Sequence, residues 1–513
     1  MTKGISDKKR LIFLGSVLLL GIMTAIGILW YGGAFMKTTV VFYDGPATLE
    51  DASADDLRAA GEENRDITLK HCVDTQVKVN GQDCYVYDTN VNHSRVWDSG
   101  YHPALSRTPI TYFDFEGKVE IQVIVPEREL NEVTVSPLSY KIEPIIDQEN
   151  HKVIFSLTKP DTYTVMFDGA PERALHIFAN PLETEVPDKN DESVVYIEPG
   201  EWDMNTIRLR DGQTLYLAGG AVVHGTIKAE GAKNVKIMGR GILDGSKLPG
   251  WQGRAPFIEM DFSACNGVVV QDIIVLNPNA WVCQGYETEN MEINGLKIIS
   301  CRPNGDGITL QSCRNVEVSN SFVRSWDDSL VVKNYYRNSY NINFSNIQLW
   351  TDFAQSMEIG YETNKGKQED SSITNITFTD ICVLHNYHKP VISVHNADDA
   401  VVSDIVFRNI IVEDSQVGSG DGNVMPYLID LNITYNGSWS STQERGTIQN
   451  VTIDNVKVLS GVFNTSRING YDEQHKVSDV TISNLEILGQ KITDTENGKF
   501  IVSETTTERV VIK

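Results

Sequence analysis

A chain of 513 residues exceeds the size at which one compact globular core keeps growing, so it holds either several domains or a repeat structure. With 41% hydrophobic and 22% charged residues it can bury a large core, which excludes an intrinsically disordered chain. A formal net charge of −25 repels nucleic acid and argues against it as a partner; it also disfavours a polyanion, although a local basic patch can still hold one.

The N-terminus comes first. Lys8, Lys9 and Arg10 precede an uncharged run from Leu11 to Met36, strongly apolar through Tyr31 and long enough to span a bilayer. Positive residues ahead of the run predict an N-terminus inside and the rest of the chain outside. The run is longer than the core of a cleaved signal peptide, and no small-x-small site follows it. Residues 1–37 are therefore expected to be a cytoplasmic tip and one transmembrane signal-anchor helix, giving a membrane-anchored cell-surface protein. A cleaved, secreted form is the alternative.

Residues 38–182 read as short strands broken by turns, among them "VKVNGQDCYVY", "KVEIQVIVP" and "HKVIFSLTKPDTYTVMFDG". Alternating apolar residues between Gly, Pro, Asp and Asn predict an antiparallel β-sandwich. "DASADDLRAAGEENRD" is a polar insertion, a loop or short helix, and nothing in this part carries chemistry.

From residue 183 to 513 a different pattern holds: Asn or Asp, alternating apolar residues, Asn or Asp again, and a second alternating run. Nine copies begin at Asn234, Asn266, Asn290, Asn315, Asn341, Asn375, Asp404, Asn450 and Asp479. The spacings 24, 25 and 26 between Asn266, Asn290, Asn315 and Asn341 mark a solenoid. Period-2 alternation sends one apolar set inward. Asn and Asp suit the bends because both tolerate left-handed backbone. Leucine-rich repeats would need regular leucines and a helical half, and neither is present. The prediction is all-β, with a β-helix of single parallel strands per coil face. Wider gaps, such as Asn341 to Asn375 and Asp404 to Asn450, mark loops that usually line the binding face.

Seven cysteines lack metal-ligand spacing. Cys72 and Cys84 can pair; Cys265, Cys283, Cys301, Cys313 and Cys382 read as small buried residues stacked in the solenoid.

Two adjacent copies carry an unusual set of acids. "CRPNGDGITLQSC" holds Asp306, and "VRSWDDSLVVKNYY" holds Asp327, 21 residues on, and Asp328. With coils roughly 4.8 Å apart, Asp306 and Asp327 are expected on neighbouring coils of one face, with Asp328 flanking the same groove at a bend. Carboxylates this close repel, and at least one keeps its proton to higher pH. A protonated carboxyl beside an ionised one is what glycoside hydrolysis needs: an acid for the leaving oxygen and a base for water. Ordinary turn residues and a calcium site are the other readings of the cluster.

"NGDG" followed one coil later by "WDDS" resembles the "NTDG" and "GDD" motifs of the polygalacturonases, glycoside hydrolase family 28. It also resembles the matching acids of the dextranase and isopullulanase group, family 49. "VVYIEPGEWDM", "LYLAGGAVVHGTI" and "GRGILDG" look like the first coils of these enzymes, and a sandwich ahead of the β-helix is similar to the dextranase arrangement. The resemblance covers most of residues 183–490 and implies a right-handed parallel β-helix of the pectin-lyase-like type and an inverting single displacement. It implies Asp327 as general acid, and Asp306 and Asp328 as the carboxylates that activate water. Two departures stand out. "SMEIGYET" occupies the coil where polygalacturonases carry a "GHG" histidine. The "RIK" motif that holds the galacturonate carboxylate is missing near "HNYHKPVISVHN". A neutral, dextran-like glucan is therefore favoured over pectin-type galacturonan.

Further residues are expected along the groove as substrate contacts: Asn304, Lys333, Tyr335, Glu358, Glu362, His385, His388, Lys389 and Trp326. Isolated Lys389 is a possible carboxylate partner, and Lys333 can hold an aspartate charged. His395, Trp281 and Trp350 are weaker candidates, with core packing an equal reading for Trp281. No metal site or organic cofactor is expected, and the enzyme is expected to be a monomer. Two rivals remain: a calcium-dependent polysaccharide lyase on the same fold, and a non-catalytic glycan-binding β-helix protein.

Overall fold

Alternation decides the architecture. In Val119–Ile124 and Lys152–Leu157 every second residue is buried, so each strand offers one apolar face. The computed structural model describes residues 38–53, 68–91, 106–250, 257–417 and 427–513. The apolar run at residues 11–36 lies outside them, and among the described residues no helix is long and apolar enough to cross a membrane.

The N-terminal part builds two sheets. Seven strands join around Ser106–Glu116 and Ala170–Asn180, and five around Val119–Ile124 and Lys152–Leu157. The sheets share one core, with Val77, Ile121, Val123 and Phe155 from the smaller meeting Phe113, Phe115, Val165 and Ile177 from the larger. The pairing is not antiparallel throughout: Ser106–Glu116 and Ala170–Asn180 run parallel. Between them the chain crosses to the other sheet and back, and that crossover removes the constraint of a tight hairpin.

From Val194 to Ile512, 28 strands form one continuous stack in which each pairs in parallel with its counterpart on the next coil. A single antiparallel hairpin, Gln490–Ile492 against Leu485–Ile487, interrupts the pattern. Two columns of bends hold the register. Asn290, Asn315, Asn341 and Asn375 all take left-handed backbone, φ 53–56°. Each side-chain amide donates to the previous member, Asn315 to Asn290 at 3.2 Å, Asn341 to Asn315 at 3.0 Å, Asn375 to Asn341 at 2.6 Å. Gly267, not Asn266, occupies this column, one residue later than the repeat pattern suggests. A second column runs through Asn320, Asn346, Asn409 and Asn455. Inside, Phe344, Phe378 and Phe407 stack with centroids 4.7 and 4.9 Å apart, the rise of one coil.

The N-terminal sheets pack along the flank of the solenoid and not only at its start. Tyr87, Tyr112 and Phe178 share a cluster with Val222, Ile299, Phe322 and Trp350. Buried polar bonds cross the junction at Arg240–Asp114 (2.9 Å), Arg324–His176 (3.1 Å) and Ser136–Glu413 (2.5 Å). All seven cysteines are free thiols, so Cys72 and Cys84 do not pair; Cys265, Cys283 and Cys313 lie in the solenoid core.

Candidate active site

On the strand Ile308–Gln311, Ile308 and Leu310 point into the core, which leaves Thr309 and Gln311 on the outward face. The same alternation repeats on Leu330–Lys333, Met357–Tyr361, Ile392–Asn396 and Tyr427–Ile433, one coil after another. The acids sit just before the strands, where the chain turns in. Ile308 pairs with Leu330, so Asp306 stands beside Asp328, and Asp327 one position back. The in-register pair is thus Asp306 and Asp328, not Asp306 and Asp327, and the bend turns all three into one cleft. The glycines flanking Asp306 allow close approach, Gly305 within its own turn and Gly307 to the next coil. A Cβ on Gly305 would meet the carbonyl of Arg302 at 2.6 Å, and one on Gly307 that of Ser329 at 2.5 Å.

The cleft holds about 260 Å³, and Trp281, Asn304, Lys333, Gln355, Tyr361, Glu362, Lys389 and Trp439 line it with the three aspartates. Burial pushes the Asp306 and Asp328 carboxyls well above the ordinary aspartate range, and the charge of Asp327 pushes both further. Burial also raises Asp327, but Lys333, the backbone amides of Asp328 and Asn304, and Lys389 all support its anion. One oxygen of Asp306 is buried without a hydrogen bond among the described residues. Lys333 is itself compensated: its ammonium lies 3.1 Å from Glu362 and 5.2 Å from the centre of the Trp281 ring. Burial alone would weaken its hold on the proton; Glu362 and then Asp306 work against burial and keep it charged.

Of the contacts expected from the sequence, Asn304, Lys333, Glu362 and Lys389 line the cleft. The others do not. Glu358 is fully buried; it bonds His395 at 2.8 Å and accepts from the Ser393 hydroxyl. It belongs to a chain of charges, Glu358–His395–Asp430–Arg467, with His395 to Asp430 at 3.0 Å and Arg467 to Asp430 at 2.7 Å. Burial alone would lower the His395 imidazole, but Glu358 and Asp430 together push it up to about 10. Tyr361 stacks on that imidazolium, centroids 4.4 Å apart and planes 7° off parallel, and so forms part of the cleft wall.

Tyr335 stands behind Glu362, its hydroxyl 3.4 Å from the carboxylate. His385 is taken by Asp414 at 2.8 Å, and His388 is buried edge-on against Phe353. Trp326 is buried under Phe353, rings 4.6 Å apart, so Phe353 and not Trp326 reaches the cleft. Trp350 is buried at the junction with the N-terminal sheets. Sequence reasoning missed Tyr361, Gln355, Asn436 and Trp439. For the last two, the wide gap between Asp404 and Asn450 was the available signal.

Residues 209–506, more than half of the chain, match the sequence family Glycosyl hydrolases family 28. No curated protein sequence matches the chain. Among solved structures, Dex49A from Penicillium minioluteum aligns over 92% of this chain and 98% of its own, at 15% identity and a TM-score of 0.56. A family 28 exopolygalacturonase from Yersinia enterocolitica aligns over 77% of this chain and 96% of its own, at 14% identity and a TM-score of 0.44. The first of these likenesses shares the β-helical fold. With the acid-lined cleft and the extent of the sequence match together, the chain belongs to glycosyl hydrolases family 28 and is a glycosidase.

Proposed function

We propose that the protein hydrolyses O-glycosidic bonds of a neutral, dextran-like polysaccharide or oligosaccharide by an inverting single displacement. One observation carries the substrate class. The cleft lining holds four acids, Asp306, Asp327, Asp328 and Glu362, against two lysines, Lys333 and Lys389, and Lys333 is already paired with Glu362 at 3.1 Å. That excess of acids over cations disfavours a chain of uronates in the cleft. Galacturonan is the secondary reading, and Lys389 is the residue that would serve it.

Asp306 and Asp328 stand in register and activate water in their ionised form, so their raised hold on protons sets the acid limb of the rate, and Asp327 protonates the leaving oxygen. In the free cleft Asp327 has the best-supported anion of the three. Its acid role therefore needs the bound sugar to exclude water and weaken that support. The right-handed sense of the coils, the signal-anchor and a monomeric cell-surface enzyme belong to the same reading, on the strength of the sequence alone.

The test is reducing-end release from neutral and acidic polysaccharides by residues 38–513 and by the Asp327→Asn variant. Release from a neutral glucan, lost in the variant, is expected, and proton NMR then finds the inverted anomer first. Release from galacturonan alone would overturn the substrate class. Release of an unsaturated product would replace hydrolysis with elimination, and binding without release in the wild type would replace catalysis with binding.

A further inference from the structure

The segment 434–446, between the strands Tyr427–Ile433 and Thr447–Gly461, has no regular structure, yet its polar groups are thoroughly satisfied. The Trp439 amide donates to the Asn436 carbonyl at 3.1 Å, and the Asn436 amide to the Ser440 hydroxyl at 2.9 Å. Buried Arg445 donates to the carbonyl of Thr434 at 3.2 Å and to the Ser440 hydroxyl at 3.1 Å. From below, the fully buried carboxylate of Asp398 accepts the Ser441 amide at 2.6 Å and the Thr442 amide at 2.8 Å. Its other oxygen accepts the amides of Thr363 at 3.2 Å and Asn364 at 3.1 Å, the residues directly after Glu362 of the cleft. One buried carboxylate thus ties this loop to the cleft wall.

What the loop presents is apolar. Trp439 is 43% exposed and Tyr435 is 55% exposed, and Arg445 lies 5.5 Å from the centre of the Tyr435 ring. The Arg445 contact steadies the Tyr435 ring, but a loop held by buried charges that leaves so much of both rings in water gains little for the fold from their exposed faces. Trp439 and Asn436 also line the catalytic cleft, so the aromatic surface continues it outward. The apolar faces of sugar rings pack on such surfaces, and a platform fixed in advance costs little ordering on binding.

We propose that Trp439 and Tyr435 form a preformed stacking subsite for the part of a neutral glycan chain that leaves the catalytic cleft, with Asp398 as its positioning residue. The subsite rests on the glycan reading above, and its test is a binding test, so the two fail separately. Dissociation constants for gluco-oligosaccharides of increasing length are measured with the Asp327→Asn protein, which keeps the cleft but does not turn over.

Affinity should rise with chain length, and adding Trp439→Ala should weaken the longer ligands by about tenfold, the scale of one aromatic contact. Trp439→Phe should restore most of the loss. Asp398→Asn should weaken the same long ligands, and combined with Trp439→Ala it should add little, because both remove one platform. Unchanged affinity in a folded Trp439→Ala protein would overturn the subsite and leave the hydrolase intact. Additive losses from Asp398→Asn and Trp439→Ala would overturn the positioning role. No binding of any oligosaccharide by the Asp327→Asn parent, with polysaccharide hydrolysis intact in the wild type, would overturn the subsite as well.

Discussion

Two sets of buried charges lie on the outward face of neighbouring coils, and they are built in opposite ways. In the chain Glu358–His395–Asp430–Arg467 each charge touches an opposite one, at 2.7–3.0 Å. In the cluster Asp306–Asp327–Asp328 three carboxyls share a cleft with two lysines, and one of these, Lys333, is already paired with Glu362. The coils supply both with the same backbone, so the difference lies in the side chains. A balanced chain is structure, and here it backs the Tyr361 ring. An unbalanced cluster costs stability and persists where protons must move.

The largest test of that contrast is activity. Asparagine at Asp306, Asp327 or Asp328 should each cut hydrolysis on the order of 10²–10⁴-fold. His395→Ala should act mainly on the fold, lowering stability by about 3–5 kcal/mol in denaturant unfolding, because it strands two buried carboxylates. The charged His395 adds stability that is full below about pH 6.5. That contribution fades as pH rises toward about 10, so the deficit of the variant should shrink at alkaline pH.

Asp306→Asn should do the reverse. A carboxyl raised on folding adds stability only while protonated, and that contribution is lost as pH climbs from the ordinary aspartate range through the raised folded value. At pH 7 the variant should therefore be more stable by on the order of 1–2 kcal/mol, with the gain vanishing near pH 4. Equal destabilisation at both pH values would contradict the account of the cluster. The smallest effect concerns Lys333. Its charge favours the ionised form of all three aspartates, so Lys333→Met should move the acid limb of the pH–rate profile to higher pH.

Much of this was legible in the sequence because it is periodic. The Asn columns and the spacing of Asp306 from Asp327 and Asp328 follow from the coil length, and left-handed bends favour the residues found there. Register was legible only to within one residue, which is why Asp327 rather than Asp328 looked like the partner of Asp306. Burial by loops was not legible. Glu358 occupies an outward position that reads as groove until His395 and Tyr361 cover it, and Trp326 reads as a sugar platform until Phe353 stacks on it. Trp439 sits in an irregular loop where no period singles it out. The parallel pairing in the N-terminal sheets depends on a crossover that alternation does not encode.

The most direct measurement of the division of labour in the cluster is leaving-group dependence. Gluco-oligosaccharides with and without an activated nitrophenyl leaving group are hydrolysed by the wild type and the three asparagine variants. A good leaving group needs no proton, so Asp327→Asn should recover most of its rate on the activated substrate, while Asp306→Asn and Asp328→Asn stay slow on both. Recovery in Asp306→Asn or Asp328→Asn instead of Asp327→Asn would contradict the assignment of acid and base.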